Sequence, residues 1–551
     1  MGSGLRLDMN ALDYLILALY FITVLGIGFA ARRAIRTSVD FFLSGRSLPA
    51  WVTGLAFVSA NLGALEIIGM AANGAQYGAM TVHYYWIGAV PAMVFLGIVM
   101  MPFYYGSKVR SVPEYLRLRF NRPTHLLNAI SFAVAQVLIA GVNLYALALI
   151  MQALLGWPLW VAIVVGAAIV LAYITIGGLS GAIYNEVLQF FVIIAGLVPI
   201  TVIGLVKVGG VNGLMDAVRD SKLGEAGLHA WQNTGSTDNP LGAHWLGIVF
   251  GLGFVLSFGY WTTNFAEVQR ALSARNMSAA RRTPIIGAYP KLLIPLVTVI
   301  PGLIALVTVK GLGAEEGDLV YNNAIPLLMR DLLPNGVLGI AVTGLVASFM
   351  AGMAANVSGF NTVFTYDIWQ AYFKRDRPDE YYVRVGRIAT VVAVVVGIGT
   401  AFIAAGFSNI MNYIQALFSV FNAPLFGTFI IGMFWKRMSP LAGFWSLLAG
   451  TVVAIGTYLL HLADVVHFNS DLEESFWGAG LAFVTVAVVA AILTPLTRPK
   501  RNDELTGLVY GLSDATLKDD SLAGDAAWYR SPVLLGVIAV VLAALFYIPV
   551  F

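Results

Sequence analysis

Cysteine is absent from the 551 residues, so the chain has no disulfide, no thiolate metal site and no catalytic thiol. Charge is scarce. Asp, Glu, Lys and Arg together make up 11%, against roughly 25% in a soluble domain, which is too little to cover a water-facing surface. Net charge is +3, with the positive residues spread over many loops, and this argues against a nucleic-acid partner. No Walker loop, GxSxG, HExxH or dinucleotide fingerprint occurs, so no enzyme class is indicated. What the chain has is apolar length: 59% of it is hydrophobic. It reads as an all-α polytopic membrane protein.

A span needs roughly 20 apolar residues. Fourteen candidates follow, near 12–31, 50–74, 83–105, 125–153, 159–177, 182–207, 243–264, 284–309, 335–362, 386–406, 408–434, 440–461, 475–495 and 532–550. The first ends at Arg32-Arg33 rather than at a small-residue cleavage site, so it reads as a retained span. With the N-terminus outside, 25 of the 32 Lys and Arg residues fall in inner loops. The positive-inside bias then places both termini outside. The inner set includes Arg32, Arg33, Arg36, Arg119, Arg270 and Lys518, each read as a topology signal. The outer loops are polar or acidic, as in 315–318. The stretch 496–531 reads as a polar, flexible inner linker.

The second candidate span carries Val58-Ser59-Ala60-Asn61-Leu62-Gly63-Ala64-Leu65-Glu66 near its middle. An ionisable group at membrane depth is costly and usually faces a cavity or a partner. Glycines beside it suggest a helix that breaks. The seventh span repeats the pattern with Ser257-Phe258-Gly259-Tyr260-Trp261-Thr262-Thr263-Asn264. Five spans separate the two, so they run in opposite directions. Paired interrupted helices in corresponding halves point to an inverted-repeat transporter. Lys291, flanked by Pro290 and Pro295, is read as a core-facing ligand or ion-pair partner, with snorkelling to the interface as the alternative. Glu186 reads either as an acid on an inner ion exit path or as a helix cap. Asn412 and Gln415 read as solute-binding amides or interhelical hydrogen bonds. His83 reads as structural.

Several stretches together resemble the sodium:solute symporter family, and within it the sodium/glucose cotransporter branch. They are Phe41–Trp51, Ser59–Met70, Ser111–Phe120, Gly177-Gly178-Leu179 with Glu186, Gln269-Arg270, Phe364–Ile368 and Gly432–Arg437. The resemblance implies about fourteen helices with a five-plus-five inverted-repeat core and discontinuous first and sixth core helices. On this reading residues 1–49 form an extra N-terminal helix and inner loop. The core is 50–434, with repeats 50–207 and 243–434, and 435–551 supplies three further helices. The resemblance also places the family's gating tyrosine on Tyr260, steadied by Asn61. Its substrate lysine falls on Lys291 and its pocket glutamine on Gln415. Its outer gate falls on Met70, Tyr84 and Met411. Its sugar-binding glutamine and glutamate become Glu66 and Tyr85, and two pocket asparagines become Ile139 and Ser257. For sodium it implies backbone carbonyls at Ser59, Leu62 and Ser348 with two hydroxyls at 351 and 352. Here those positions are Ala351 and Gly352, so both hydroxyls are lost.

These observations lead to an expectation of a secondary active transporter in the plasma membrane, a monomer carrying a small polar solute, with a sugar as the first candidate. No cofactor is expected beyond a coupling ion, Na⁺ or H⁺. The degraded sodium set and the new carboxylate Glu66 favour H⁺ or no ion. An ordinary Na⁺ symporter of a carboxylate or amine solute, and an uncoupled facilitator or channel, are the alternatives.

Overall fold

The computed structural model describes residues 7–31, 38–314, 319–512 and 527–550. Arg32, Arg33, Arg36, Lys518 and the acidic stretch 315–318 lie outside them. Among the described residues the protein is helical, with one isolated bridge between Leu48 and Ala274. The helices that position the site are α1 (Ala11–Ala31), α2 (Ala50–Asn61), α3 (Arg122–Leu155), α4 (Leu159–Lys207), α5 (Ser257–Thr263), α6 (Phe265–Leu272), α7 (Met277–Leu293), α8 (Val337–Val363) and α9 (Ile410–Phe434). α8 is the buried centre, packed against α1, α3 and α4.

Among the described residues eleven helices are long and apolar enough to cross a bilayer, and thirteen if each of two bent pairs counts as one span. The fifth candidate, 159–177, contains the shorter apolar helix Leu159–Ala172 and runs on as helix into the sixth, so the two form the 49 residues of α4. At 1.5 Å per residue a helix of that length reaches about 70 Å, well over one bilayer. Gly177-Gly178-Leu179-Ser180-Gly181 interrupts the apolar run, which is why a count of apolar runs divides it where the backbone stays helical.

Helix ends follow local chemistry. α3 starts at Asn121, whose side chain accepts the Thr124 N–H at 2.9 Å, and stops at Gly156, φ +66°, a left-handed position that favours glycine. α9 ends against a cation. Buried Arg119 donates to the carbonyls of Gly432 (2.7 Å), Trp435 (3.0 Å) and Met438 (3.1 Å), satisfying C-terminal carbonyls that would otherwise lack partners. The linker is not a free tether over its first half. Leu505 and Val509 are fully buried, and the Tyr510 N–H donates to the Met433 carbonyl at 2.8 Å. Leu505, Leu508 and Val509, three buried apolar residues in a polar stretch, dock it by the C-terminal end of α9. Exposed Leu19 and Ile22 on α1, and Val391, Val392 and Val395 on the Asp379–Ala404 helix, form faces that suit hydrocarbon and that a water-soluble protein would not expose.

α1 is fastened to α8 by a carboxylate. Asp13 is fully buried, and its Oδ1 accepts the N–H groups of Gly336 (2.6 Å) and Gly339 (2.7 Å) at the start of α8. A negative charge there also suits the helix dipole. Asp13→Ala leaves both donors buried and unpaired, at a cost of about 1–3 kcal/mol each. A lowered unfolding temperature in detergent, read by tryptophan fluorescence, is the expected result. An unchanged midpoint would show that α1 is held by apolar packing alone.

Candidate functional site

The two bent pairs are the two stretches with polar residues at membrane depth. The first bends by 59° between Ala50–Asn61 and Leu65–Val82, and the second by 50° between Gly247–Thr263 and Phe265–Leu272. At the first break Leu62 takes φ −72°, ψ 46°, so the helical ladder stops. The Leu62 N–H turns back to the Ser59 carbonyl (3.0 Å), and the Gly63 N–H to that of Asn61 (2.8 Å). At the second, Asn264 is extended and its side chain accepts the Ala266 N–H at 3.1 Å, which caps the restarted helix.

One cavity lies between the breaks. It is lined by Asn61, Glu66, Met70, Tyr84, Tyr85, Ser257, Tyr260, Lys291, Met411 and Gln415, with apolar walls from Leu65, Ala89, Leu252, Leu256, Trp261 and Phe418. Its volume is about 40 Å³, room for a water or two but not for an organic solute. The conformation is therefore closed around the site. Three sequence candidates lie elsewhere. Asn412 accepts from the Tyr77 hydroxyl (3.3 Å) and donates to Asp471 (3.0 Å), so its amide is used between helices. Ile139 is buried in the core, outside the lining. Glu186, on α4, meets Arg270 of α6 in an ion pair whose two side chains are fully buried.

Within the cavity Lys291 Nζ stands 2.7 Å from Glu66 Oε1, with both side chains buried. The ammonium also faces the rings of Tyr85 (5.3 Å) and Trp261 (5.2 Å), which adds a cation–π contribution. A buried charge without a partner is the costly arrangement, and each of these supplies the other's compensation. The Asn61 amide donates to the Tyr260 hydroxyl at 2.8 Å, and that hydroxyl donates to Glu267 Oε1 at 2.7 Å. The Tyr260 ring stacks at a tilt on Phe418, centroids 4.8 Å apart. The Tyr85 hydroxyl meets Thr298 at 3.0 Å. One tyrosine thus bridges the broken second span to the first turn past the second break. Glu267 was not singled out from the sequence, where it sits three residues before Arg270 in what reads as an inner-loop flank. Its position immediately after a predicted break was the available signal.

The cation positions are arranged differently from the implied set. The Ser348 hydroxyl donates to the Leu62 carbonyl, and the Ser59 carbonyl receives the Leu62 N–H. Gly352 lies against Gly63, so closely that a Cβ on residue 352 would stand 3.0 Å from Gly63 Cα and 2.6 Å from Asn143 Oδ1. Asn143, from α3, accepts the Ala64 N–H at 2.9 Å. The Asn143 amide and the two glycines are thus in close contact beside the first break. A desolvated sodium needs several oxygens to replace its water. Positions 351 and 352 carry no hydroxyl, and the Leu62 carbonyl keeps a second lone pair beside the one that the Ser348 hydroxyl uses.

A model of the sodium:solute symporter family matches residues 41–450. Among curated proteins, a sodium/glucose cotransporter of Vibrio parahaemolyticus is 28% identical over 79% of this chain and 83% of its own length. Sodium/glucose cotransporter 4 of Danio rerio is 30% identical over 82% and 72%. Sodium/myo-inositol cotransporter 2 of Oryctolagus cuniculus is 28% identical over 90% and 78%. Among solved structures, an outward-open, Na⁺-coupled sialic acid symporter superposes with a TM-score of 0.76 at 20% identity, covering 90% of this chain and all of its own. Mhp1, a nucleobase-cation-symport-1 family transporter, superposes with 0.51 at 14%, covering 87% and 98%. At those identities the structural likeness speaks to the fold: two inverted halves with a broken helix in each.

Proposed function

The chain belongs to the sodium:solute symporter family, a family of multi-pass membrane transporters and not of enzymes, and from that premise we propose that it carries one small polar organic solute, a sugar being the first candidate, through the cavity between its two helix breaks. The observation that supports this most is the Glu66–Lys291 pair at 2.7 Å, sharing one cavity with Tyr260 and Gln415. Opposite charges held at membrane depth on two different elements give a solute both a strong acceptor and a strong donor. Hydroxyls can use both without leaving either charge unpaired, whereas a simple anion would separate Lys291 from Glu66. The curated relatives named for glucose and myo-inositol agree with a polyhydroxylated solute. Asn61, Tyr260, Met70, Tyr84 and Met411 are assigned to the gates. Alternating access then means opening this closed cavity to one side at a time by rocking the broken helices against the rest of the core. The monomer is the transporting unit and both termini face outside, as the distribution of Lys and Arg favours.

Cation coupling is the family's mode, and Na⁺ is its usual ion. In this chain we assign a weakened sodium site at Ser59, Leu62 and Ser348, because Ala351 and Gly352 carry no hydroxyl and Asn143 fills the space beside Gly352. D-Glucose and myo-inositol uptake into proteoliposomes, with Na⁺ replaced by choline, is expected to retain most of its rate while an inward proton gradient is present. Uptake that collapses without Na⁺ and ignores the pH gradient would show that the ordinary sodium site operates after all. Solute that equilibrates but never accumulates, under any gradient, would point to a facilitator.

A further inference from the structure

Five ionisable side chains are buried from the cavity toward the inner end of α6. Glu66 is matched by Lys291 and Glu186 by Arg270. The fifth, Glu267, has no cation of its own. Its side chain is 2% exposed. Oε1 accepts the Tyr260 hydroxyl at 2.7 Å, while Oε2 is buried without a hydrogen-bond partner. The charged groups that act on it are Arg270 on its own helix, Lys291 on α7 and Glu186 on α4, with Glu66 beyond Tyr260. The two cations are already engaged by the other two carboxylates. With every group ionised, the cluster therefore holds three negative charges and two positive ones, in a medium where an unmatched charge is expensive.

We propose that Glu267 is the proton-binding residue of this transporter, and that Tyr260 reports its protonation state to the first helix break. The proposal rests on the symporter reading above. One monovalent cation balances the cluster. A proton needs a single lone pair, which Oε2 offers, whereas a sodium ion needs several oxygens and the neighbouring Tyr260 oxygen is already held as a donor. The step is simple in atoms: a hydronium ion on the open side gives up one proton and is left as water, and one O–H bond forms at Oε2 of the Glu267 carboxylate. The acid is now itself a donor: once its carboxyl turns to bring the Oε2 hydrogen to Tyr260, it gives that hydrogen to the Tyr260 oxygen, reversing that hydrogen bond. The Tyr260 hydroxyl hydrogen must then turn to another acceptor. Two lie within the same site: Asn61 Oδ1, which is buried with no partner, and a hydroxyl of the solute. Proton binding at Glu267 thus acts on Asn61, at the end of α2, and on the solute through one tyrosine. Release of the proton restores the present arrangement, in which Tyr260 holds Glu267.

The test uses purified full-length protein in proteoliposomes and infrared difference spectra between acidic and alkaline buffer, without Na⁺ and without solute. A carboxylic-acid C=O band is expected, abolished in Glu267→Gln, moved in frequency in Glu267→Asp, and appearing only at lower pH in Glu66→Gln, which removes the excess negative charge. In Tyr260→Phe it should shift to higher frequency, because a hydrogen bond to that group is lost. Glu225→Gln, on an exposed loop, is the unaffected control. A band that survives Glu267→Gln, or a Glu267 signal that responds to NaCl at fixed pH, overturns the proposal. In parallel, D-glucose and myo-inositol accumulation driven by a pH gradient should fall about tenfold in Glu267→Gln, the size of an ordinary coupling free energy. If the wild-type protein accumulates neither probe, the solute reading fails, and the infrared spectra still decide the role of Glu267.

Discussion

Arg270→Gln and Glu186→Gln, made singly, are each expected to destabilise the folded protein by about 3–5 kcal/mol, the usual consequence of leaving one member of a buried ion pair uncompensated. Both side chains are fully buried. The guanidinium holds the carboxylate through two nitrogens, with Nε 3.1 Å from Oε2, and also donates to the Ala266 carbonyl at 2.6 Å. This pair joins α4 to α6, the helix that begins at the second break. The double variant Glu186→Gln/Arg270→Gln should recover much of the loss, because two amides can hydrogen-bond where one charge cannot. Detergent-solubilised yield and the thermal midpoint are the readouts. Single variants as stable as the parent would mean that water reaches the pair, and would restore Glu186 as an accessible acid on the inner path. As the structure stands, Glu186 serves an exit path only if Arg270 releases it.

The second large effect concerns the cavity. Glu66→Gln or Lys291→Gln alone should reduce D-glucose and myo-inositol uptake to background and cost about 3–5 kcal/mol of stability, since the remaining charge stays buried without its partner. Tyr85→Phe is the comparison. It removes one neutral hydrogen bond, to Thr298 at 3.0 Å, worth about 1 kcal/mol, and leaves the ring beneath Lys291. The exchanged pair, Glu66→Lys with Lys291→Glu, separates folding from function. It keeps opposite charges in contact and should regain part of the stability. It should not regain transport, because the cation then no longer faces the rings of Tyr85 and Trp261. Uptake by Glu66→Gln equal to that of the parent would remove the pair from the solute site.

Much of this was legible without coordinates, and the reason is that the informative signals are local. A run of apolar residues long enough for a bilayer announces a span. A carboxylate at residue 66 inside such a run announces a cavity or a partner, because hydrocarbon offers it neither. Prolines on both sides of Lys291 mark a lysine in irregular surroundings. The tertiary structure brings Glu66, Tyr260, Lys291 and Gln415 to one cavity, at the two interruptions that the polar residues marked, because helices broken at the same depth must satisfy their polar groups against each other.

What only the tertiary structure decided concerns groups whose local surroundings look ordinary. Asn143 stands in an apolar helix as one amide among many. Only the crossing of α3 with α2 and α8 puts it at the Ala64 N–H and against Gly352. Arg119 reads as one more inner-loop charge until the end of α9 is seen to rest on it. Asn412 reads as a pocket amide, yet its helical face turns it to Tyr77 and Asp471. Glu267 stands three residues before Arg270 in the chain, but past the 50° bend at Asn264 it meets Tyr260, and Arg270 meets Glu186, 84 residues away in the chain. Pairing between buried charges is chosen by helix packing, which brings together residues far apart in sequence, and no pattern along the chain specifies which of two nearby acids an arginine will meet.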